Sequence, residues 1–224
     1  MPIERNNPVV CYVTGGVSLR TEELGPARVR DLREAIRRAV AAGADWVQIR
    51  ERDLPGGELL RLTREAVEMA NGRQVRIIVN DRLDVAVAAG AGGVHLGGQS
   101  LPVSEVSAWR GAGNALADFL IGASCHSEVE ARAAERDGAD YIFFGPVFAT
   151  PEKLSFGPPQ GLEKLREACR SVKIPAIAIG GVNAENAEEC LRAGAAGIAA
   201  IRMFQNTESQ EKLREEVARL HGIS

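Results

Sequence analysis

Short apolar runs rich in β-branched residues alternate along this chain with longer stretches in which apolar side chains recur every three or four positions. The first run is Val9-Val10-Cys11-Tyr12-Val13; others follow at 46–50, 76–80, 93–96, 119–123, 141–144, 176–179 and 197–201, and the last helical stretch covers 208–220. Strands separated by helices predict a parallel sheet, and eight such units predict closure into a barrel. The runs are nearly continuous in apolar character, as expected where helices cover one face and a packed barrel interior the other. An open doubly wound sheet is the rival. It is disfavoured because Thr14-Gly15-Gly16-Val17 follows the first strand in place of a glycine-rich dinucleotide fingerprint. The expected fold is therefore α/β, a single (β/α)8 barrel domain over residues 1–224.

The punctuation between the runs agrees. Ala-Gly-Ala or Asp-Gly-Ala stands at Gly43, Gly90, Gly138 and Gly194, before every second predicted strand. A glycine just past a helix end takes the left-handed conformation at low cost and sends the chain back toward the sheet. The spacing of roughly fifty residues suits a repeat of two βα units. Ser127-Glu128-Val129-Glu130 and Thr207-Glu208-Ser209-Gln210 match the capping-box pattern and predict helix starts.

Composition narrows the function. With 27 Lys and Arg against 30 Asp and Glu the formal charge is −3, and only 4% of residues are aromatic. A nucleic-acid surface is thereby excluded. No apolar stretch approaches the roughly 20 residues of a membrane span, so no membrane partner and a cytoplasmic location are expected. The four cysteines, Cys11, Cys125, Cys169 and Cys190, are scattered singly as small buried hydrophobes, Cys125 beside His126 being the one candidate for a reactive thiol. The composition leaves a homodimer open.

In a parallel barrel, chemistry gathers at the carboxyl ends of the strands. There this sequence places Gln48, Arg50 and Arg52; Asn80 and Asp81; His95 and the turn to Ser100; Ser124 and His126; Thr150 and Lys153 in the long segment 146–161; Gly180 and Gly181; and Ile201 with Arg202. Gly180, Gly181 and the Ile201–Arg202 amides could hold a phosphate, or the glycine pair could simply make a tight turn. Arg50 and Arg52 can grip a carboxylate or phosphate, although pairing with Glu51, Asp53 or Asp81 is expected to occupy one of them. His126 is the best candidate for proton transfer at neutral pH. His95, within Gly93-Val94-His95-Leu96, is expected to be an interior histidine with its hydrogen bonds satisfied, and His221 to be exposed. Zinc spacing is absent, and only Asp81 offers a carboxylate to Mg²⁺, Ser100 supplying no more than a hydroxyl.

The phrases Gln48-Ile49-Arg50-Glu51-Arg52, Asn80-Asp81-Arg82, Gly93-Val94-His95-Leu96, Gly122-Ala123-Ser124-Cys125-His126, residues 145–151 (Gly-Pro-Val-Phe-Ala-Thr-Pro) and Ala178-Ile179-Gly180-Gly181 together resemble the thiamin-phosphate synthase and thiazole tautomerase (TenI) superfamily. The resemblance covers nearly the whole chain in order. It implies a TIM barrel of the thiamin pathway acting on a small phosphorylated thiazole, with no tightly bound organic cofactor. Gln48, Asn80, Asp81, Thr150 and Lys153 match the synthase, which joins hydroxymethylpyrimidine diphosphate to thiazole phosphate with Mg²⁺. The synthase pattern is altered where Arg52 replaces its lysine, Ser100 its second metal-binding aspartate, Glu152 a hydroxyl residue and Arg202 a serine. Those changes, with Ser124-Cys125-His126-Ser127 and residues 157–162, look more like the tautomerase branch. The expectation is therefore a cofactor-free isomerase with His126 as general acid/base, Gln48, Arg50, Arg52, Asn80, Ser124, Thr150 and Lys153 binding substrate, and Gly180, Gly181, Ile201 and Arg202 cradling phosphate. Mg²⁺-dependent synthesis with Asp81 on the metal, or non-catalytic binding of a phosphorylated ligand, are the alternatives.

Overall fold

A computed structural model describes residues 7–15, 26–115, 118–149 and 158–223. Its first half runs β1 (Val9–Val13), α1 (Pro26–Ala42), β2 (Trp46–Ile49), α2 (Gly56–Ala70), β3 (Arg76–Asn80), α3 (Leu83–Ala89), β4 (Gly93–Leu96) and α4 (Val103–Trp109). The second half runs β5 (Leu120–Cys125), α5 (Glu128–Arg136), β6 (Tyr141–Phe144), α6 (Gly161–Ser171), β7 (Ala176–Ile179), α7 (Ala187–Arg192), β8 (Gly197–Ala200), α8 (Arg202–Asn206) and α9 (Gln210–His221). All eight strands pair in parallel in chain order, and β8 returns to β1 to close a (β/α)8 barrel. β5 is shifted against expectation and runs through Ser124 and Cys125, carrying the chain to within one residue of His126.

Alternation sorts the strand residues into two cores. Cys11, Trp46, Ile78, Tyr141, Phe143, Ile177 and Ala199 pack together inside the barrel, while their strand neighbours Tyr12, Val47, Val79, Ile142 and Ile198 join the layer beneath the helices. Each fully buried large apolar side chain contributes about 1.5–3 kcal/mol relative to exposure. Both cores keep their order because the strand period is two.

The glycine repeat is realised at all four positions. Gly43, Gly90, Gly138 and Gly194 have φ of 90°, 70°, 98° and 105°. In each case the following alanine amide bonds back five residues, Ala44 to Ala39, Ala91 to Ala86, Ala139 to Ala134 and Ala195 to Cys190, at 2.9–3.1 Å. This is the Schellman closure of a helix. The next amide in turn, of Asp45, Gly92, Asp140 or Ala196, enters the sheet on the preceding strand. A two-fold relation overlies the repeat: Asp45 and Asp140, before β2 and β6, each accept an amide of the preceding strand, Val10 N at 2.8 Å and Ile121 N at 2.7 Å. Each carboxylate also meets a basic side chain, His221 for Asp45 and Arg110 for Asp140.

Two terminal expectations are corrected. Ser127 does cap α5, accepting Glu130 N at 3.2 Å, but the Glu130 carboxylate bonds the amide of His126 rather than of Ser127. The last helix is capped by Ser209, which accepts Lys212 N at 3.1 Å, whereas Thr207 donates to Met203 O at 2.6 Å and closes α8. Thr207 is fixed by the helix before it, so the start falls two residues later.

His221 is half-buried rather than exposed, its Nε2 2.8 Å from Asp45 Oδ2. The hydrogen bond to Asp45 raises its pKa above the ordinary histidine value. A raised folded-state pKa means that the pair stabilises fully below the unfolded value of about 6.5 and is lost as pH rises through the folded value. Thermal unfolding of wild type and His221→Gln is therefore expected to differ most in mild acid and to converge in alkali; a pH-independent difference would contradict the pairing.

Candidate active site

The alternation that places Trp46, Ile78 and Tyr141 in the barrel interior places every nominated residue of strands β2 to β5 on the same inner parity. Gln48 and Arg50 are in step with Trp46, Asn80 with Ile78, and Ser124 and His126 with Gly122. Toward the carboxyl ends of the strands the interior thus changes from apolar to polar. Gln48, only 2% exposed, donates from Nε2 to Asn80 Oδ1 at 3.1 Å. This bond fixes both amides across β2 and β3.

His95 is interior and satisfied, as expected. Its Nε2 lies 2.9 Å from Ser124 Oγ and its Nδ1 3.2 Å from the Tyr141 hydroxyl. Burial, with Arg50 nearby, pushes its pKa down to about 3, so the ring is neutral. Cys125 is no reactive thiol: buried on the outer parity, with Glu130 nearby, its pKa is pushed up to about 12.

Arg50 and Arg52 depart from expectation. Glu51 and Asp53 both go to Arg28 of α1, at 3.0 and 3.9 Å, and among the described residues neither Arg50 nor Arg52 lies within ion-pair distance of a carboxylate. Burial and the neighbouring Arg52 lower the pKa of the half-buried Arg50 guanidinium, which therefore sits where positive charge is poorly relieved. Sequence reasoning missed the reason, the buried Arg28–Glu51 pair, because Arg28 looks like any helix arginine. It also missed Thr14, fully buried at the end of β1, whose Oγ1 accepts the Arg50 amide at 2.8 Å and locks the turn that presents that side chain. A polar residue directly after a strand was the available signal.

Asp81 is the one non-glycine described residue with positive φ, 67°. Its amide bonds His95 O at 2.8 Å and its carbonyl accepts Leu83 N at 3.0 Å, so the chain leaves β3 through a strained, fully bonded residue. The exposed carboxylate has no hydrogen-bond or ion-pair partner among the described residues. Ser100 is committed elsewhere, its Oγ accepting Gly97 N at 2.8 Å to close the turn after β4. No group of three His, Cys, Asp or Glu is gathered among the described residues. The residues present therefore fit Mg²⁺ as a one-carboxylate site, Asp81, completed by ligand phosphate oxygens.

Beyond β5, His126 is exposed and its Nδ1 meets the Gly145 carbonyl. A carbonyl only accepts, so Nδ1 carries the hydrogen and, in the neutral ring, Nε2 keeps the lone pair. Gly180 and Gly181, with φ of 92° and 68°, form the tight turn that was one of their two expected roles. A Cβ on them would stand 2.5 Å from Pro146 Cα and 2.7 Å from Phe148 Cβ, and Phe148 N bonds Gly180 O at 2.9 Å. The pair is thus required for seating the segment after β6. Ile201 packs against Gly15, and Arg202 opens α8 at the same rim. Thr150, Glu152 and Lys153 lie outside the described residues.

Comparison with known proteins adds to this geometry. The family described as thiamine monophosphate synthase matches residues 22–204. A thiamine-phosphate synthase of Methanocella arvoryzae is 48% identical over 75% of this chain and 77% of its own length, and one of Methanoculleus marisnigri is 42% identical over 88% and 92%. Among solved structures, a thiamine phosphate pyrophosphorylase from Pyrococcus furiosus superposes with a TM-score of 0.80 at 34% identity, covering 98% of both chains. A barrel with this polar mouth, matched along most of its length, belongs to the thiamine monophosphate synthase family.

Proposed function

We propose that this chain is an enzyme of thiamine biosynthesis that joins hydroxymethylpyrimidine diphosphate to thiazole phosphate and releases pyrophosphate. The observation that carries this reading is the pair Arg50 and Arg52, which among the described residues have no carboxylate within ion-pair distance, at a rim where Asp81 likewise has no hydrogen-bond or ion-pair partner among the described residues. The named relatives support it over the isomerase expectation drawn from the sequence.

In this reaction a bond forms between the thiazole nitrogen and the pyrimidine's methylene carbon while the carbon–oxygen bond to diphosphate breaks. Negative charge grows on the leaving group as that bond lengthens. Fixed cations aimed at it are worth more in the transition state than in the ground state, which is what accelerates the step. Arg50, held by Thr14 through its amide, supplies such a cation, and Arg52 a second. Mg²⁺ held by Asp81 would supply further neutralisation of the diphosphate. Gln48 and Asn80 fix each other and orient the ring-binding surface, and the Gly180–Gly181 turn with the Ile201–Arg202 amides receives the thiazole phosphate. Thr150 and Lys153 belong to the same proposal.

A second reading is favoured by two observations. Ser100 stands where a metal carboxylate is wanted, and the Nε2 of His126 has no hydrogen-bond partner among the described residues. An aromatising tautomerase acting on a carboxylated thiazole phosphate needs one proton removed and another delivered, which one imidazole can do. Both thiazole isomers, assayed with and without the pyrimidine diphosphate and Mg²⁺, separate the readings. Metal-dependent pyrophosphate release that survives His126→Ala is expected. Aromatisation without pyrimidine diphosphate, falling about 10²-fold or more in His126→Ala, would establish the tautomerase instead. Ligand binding by calorimetry with no turnover of either kind would leave a non-catalytic binder.

A further inference from the structure

The barrel interior holds a polar track that the proposed chemistry does not use. The Tyr141 hydroxyl, fully buried, touches His95 Nδ1 at 3.2 Å, and His95 Nε2 touches Ser124 Oγ at 2.9 Å. Space for the track is provided by Gly122, where a Cβ would stand 2.1 Å from Tyr141 Cζ and 2.4 Å from its oxygen. The imidazole is held by ring contacts to Phe143, centroids 4.3 Å apart, and Tyr141 itself by Trp46 at 4.6 Å. Ser124, half-buried at the end of β5, is the member that reaches the mouth.

We infer that Tyr141, acting through the tautomer of His95, is a positioning residue that makes the Ser124 hydroxyl a hydrogen-bond donor toward an anionic ligand in the mouth. Two arrangements satisfy the distances. If Nδ1 carried the hydrogen, it would donate to the Tyr141 oxygen, and the phenolic hydrogen would face Trp46, Phe143 and Gly122. Among the described residues His95 is the hydroxyl's one hydrogen-bond partner, so that donor would be buried and unsatisfied, which is the costly outcome. If Nε2 carries the hydrogen, Tyr141 donates to Nδ1, Nε2 donates to Ser124 Oγ, and every buried donor is used. The Ser124 hydrogen is then left over, at the end of the track that is not fully buried. Burial and, after it, the positive charge of Arg50 keep the imidazole neutral. A hydroxyl forced to donate suits a phosphate or diphosphate oxygen and disfavours a cationic or donor group.

The inference rests on the reading that the mouth takes a phosphorylated ligand, and its test separates the two. In ¹⁵N NMR of the unliganded protein, His95 is expected to carry its hydrogen on Nε2, with Nδ1 unprotonated and displaced by a hydrogen bond that disappears in Tyr141→Phe. A protonated Nδ1 in wild type would overturn the inference whatever the enzyme's activity. In calorimetric titration with inorganic pyrophosphate, Ser124→Ala and His95→Leu are each expected to weaken binding about tenfold. His95→Gln, whose amide offers an acceptor and a donor at similar spacing, should stay within about threefold of wild type by the same arithmetic. Binding in His95→Gln as weak as in His95→Leu would sink the positioning role. Failure of wild type to bind pyrophosphate would overturn the functional reading, while the tautomer still decides the inference.

Discussion

Arg50→Ala is expected to lower kcat/KM for pyrophosphate release by about 10²-fold or more, the loss of a partly desolvated charged contact worth about 2–5 kcal/mol. The melting temperature should barely move. Both halves follow from the same geometry: the Arg50 side chain has no carboxylate partner among the described residues, so truncating it orphans none of the described carboxylates, whereas its main-chain amide, bonded to Thr14 Oγ1, is untouched by the change. Glu51 next to it is the opposite case, a buried carboxylate paired with buried Arg28 whose role is structural. Steady-state kinetics with the diphosphate substrate varied, together with thermal unfolding, checks the split. Since the cation would act mainly as charge develops on the leaving group, kcat should fall at least as much as KM rises. A variant with normal kcat/KM, or one that loses activity only because it unfolds, would remove Arg50 from the proposed diphosphate site.

The contrast between Arg50 and Glu51 also marks how far the sequence could be followed. Strand positions were legible because each run is short, apolar and bounded, and β3, β4, β6 and β7 fall where the runs do. The polar mouth was legible for the same reason. Once strands alternate inward and outward, Gln48, Arg50, Asn80, His95 and Ser124 must share one face, and the barrel's closure brings that face to one place. What was not legible is pairing across sequence distance. Arg28 finds Glu51, and His221 finds Asp45, through the docking of α1 and α9 against the barrel, which no local pattern encodes. The misplacement of the last helix start has a local cause: Thr207 and Ser209 both fit a cap, and Thr207 was already engaged with Met203. The repeat was seen as four glycines, but its two-fold character is carried by Asp45 and Asp140, whose role is visible only once their carboxylates meet the amides of neighbouring strands.

The same two-fold relation sets the largest expected effect on stability, at Gly197. This residue opens β8 and pairs with Val9 at the seam that closes the barrel. A Cβ there would stand 2.2 Å from Val9 O and 2.7 Å from Val9 N. The obstruction is backbone on both counts, so no side-chain rotation relieves it; β1 and β8 must part, and with them the inner packing of Cys11 and Ala199. Gly93 faces the equivalent Leu120 O at 2.5 Å across the β4–β5 seam, which shows that close approach is demanded at both halves of the ring. Gly197→Ala is expected to cost about 3 kcal/mol or more, at the upper end of overpacking. For a chain of this size that lowers the melting temperature by about 6–12 °C. Gly57→Ala supplies the control, because that glycine lies in α2 with nothing within 4 Å of the added carbon, and there alanine should stabilise by about 0.5–1 kcal/mol. Thermal and urea unfolding of the two variants beside wild type checks the sign as well as the size. A Gly197→Ala protein that melts with wild type would mean that β1 and β8 do not approach as closely as the closed ring requires, and the convergence of Arg50, Asp81 and Ser124 on one mouth would lose its geometric basis.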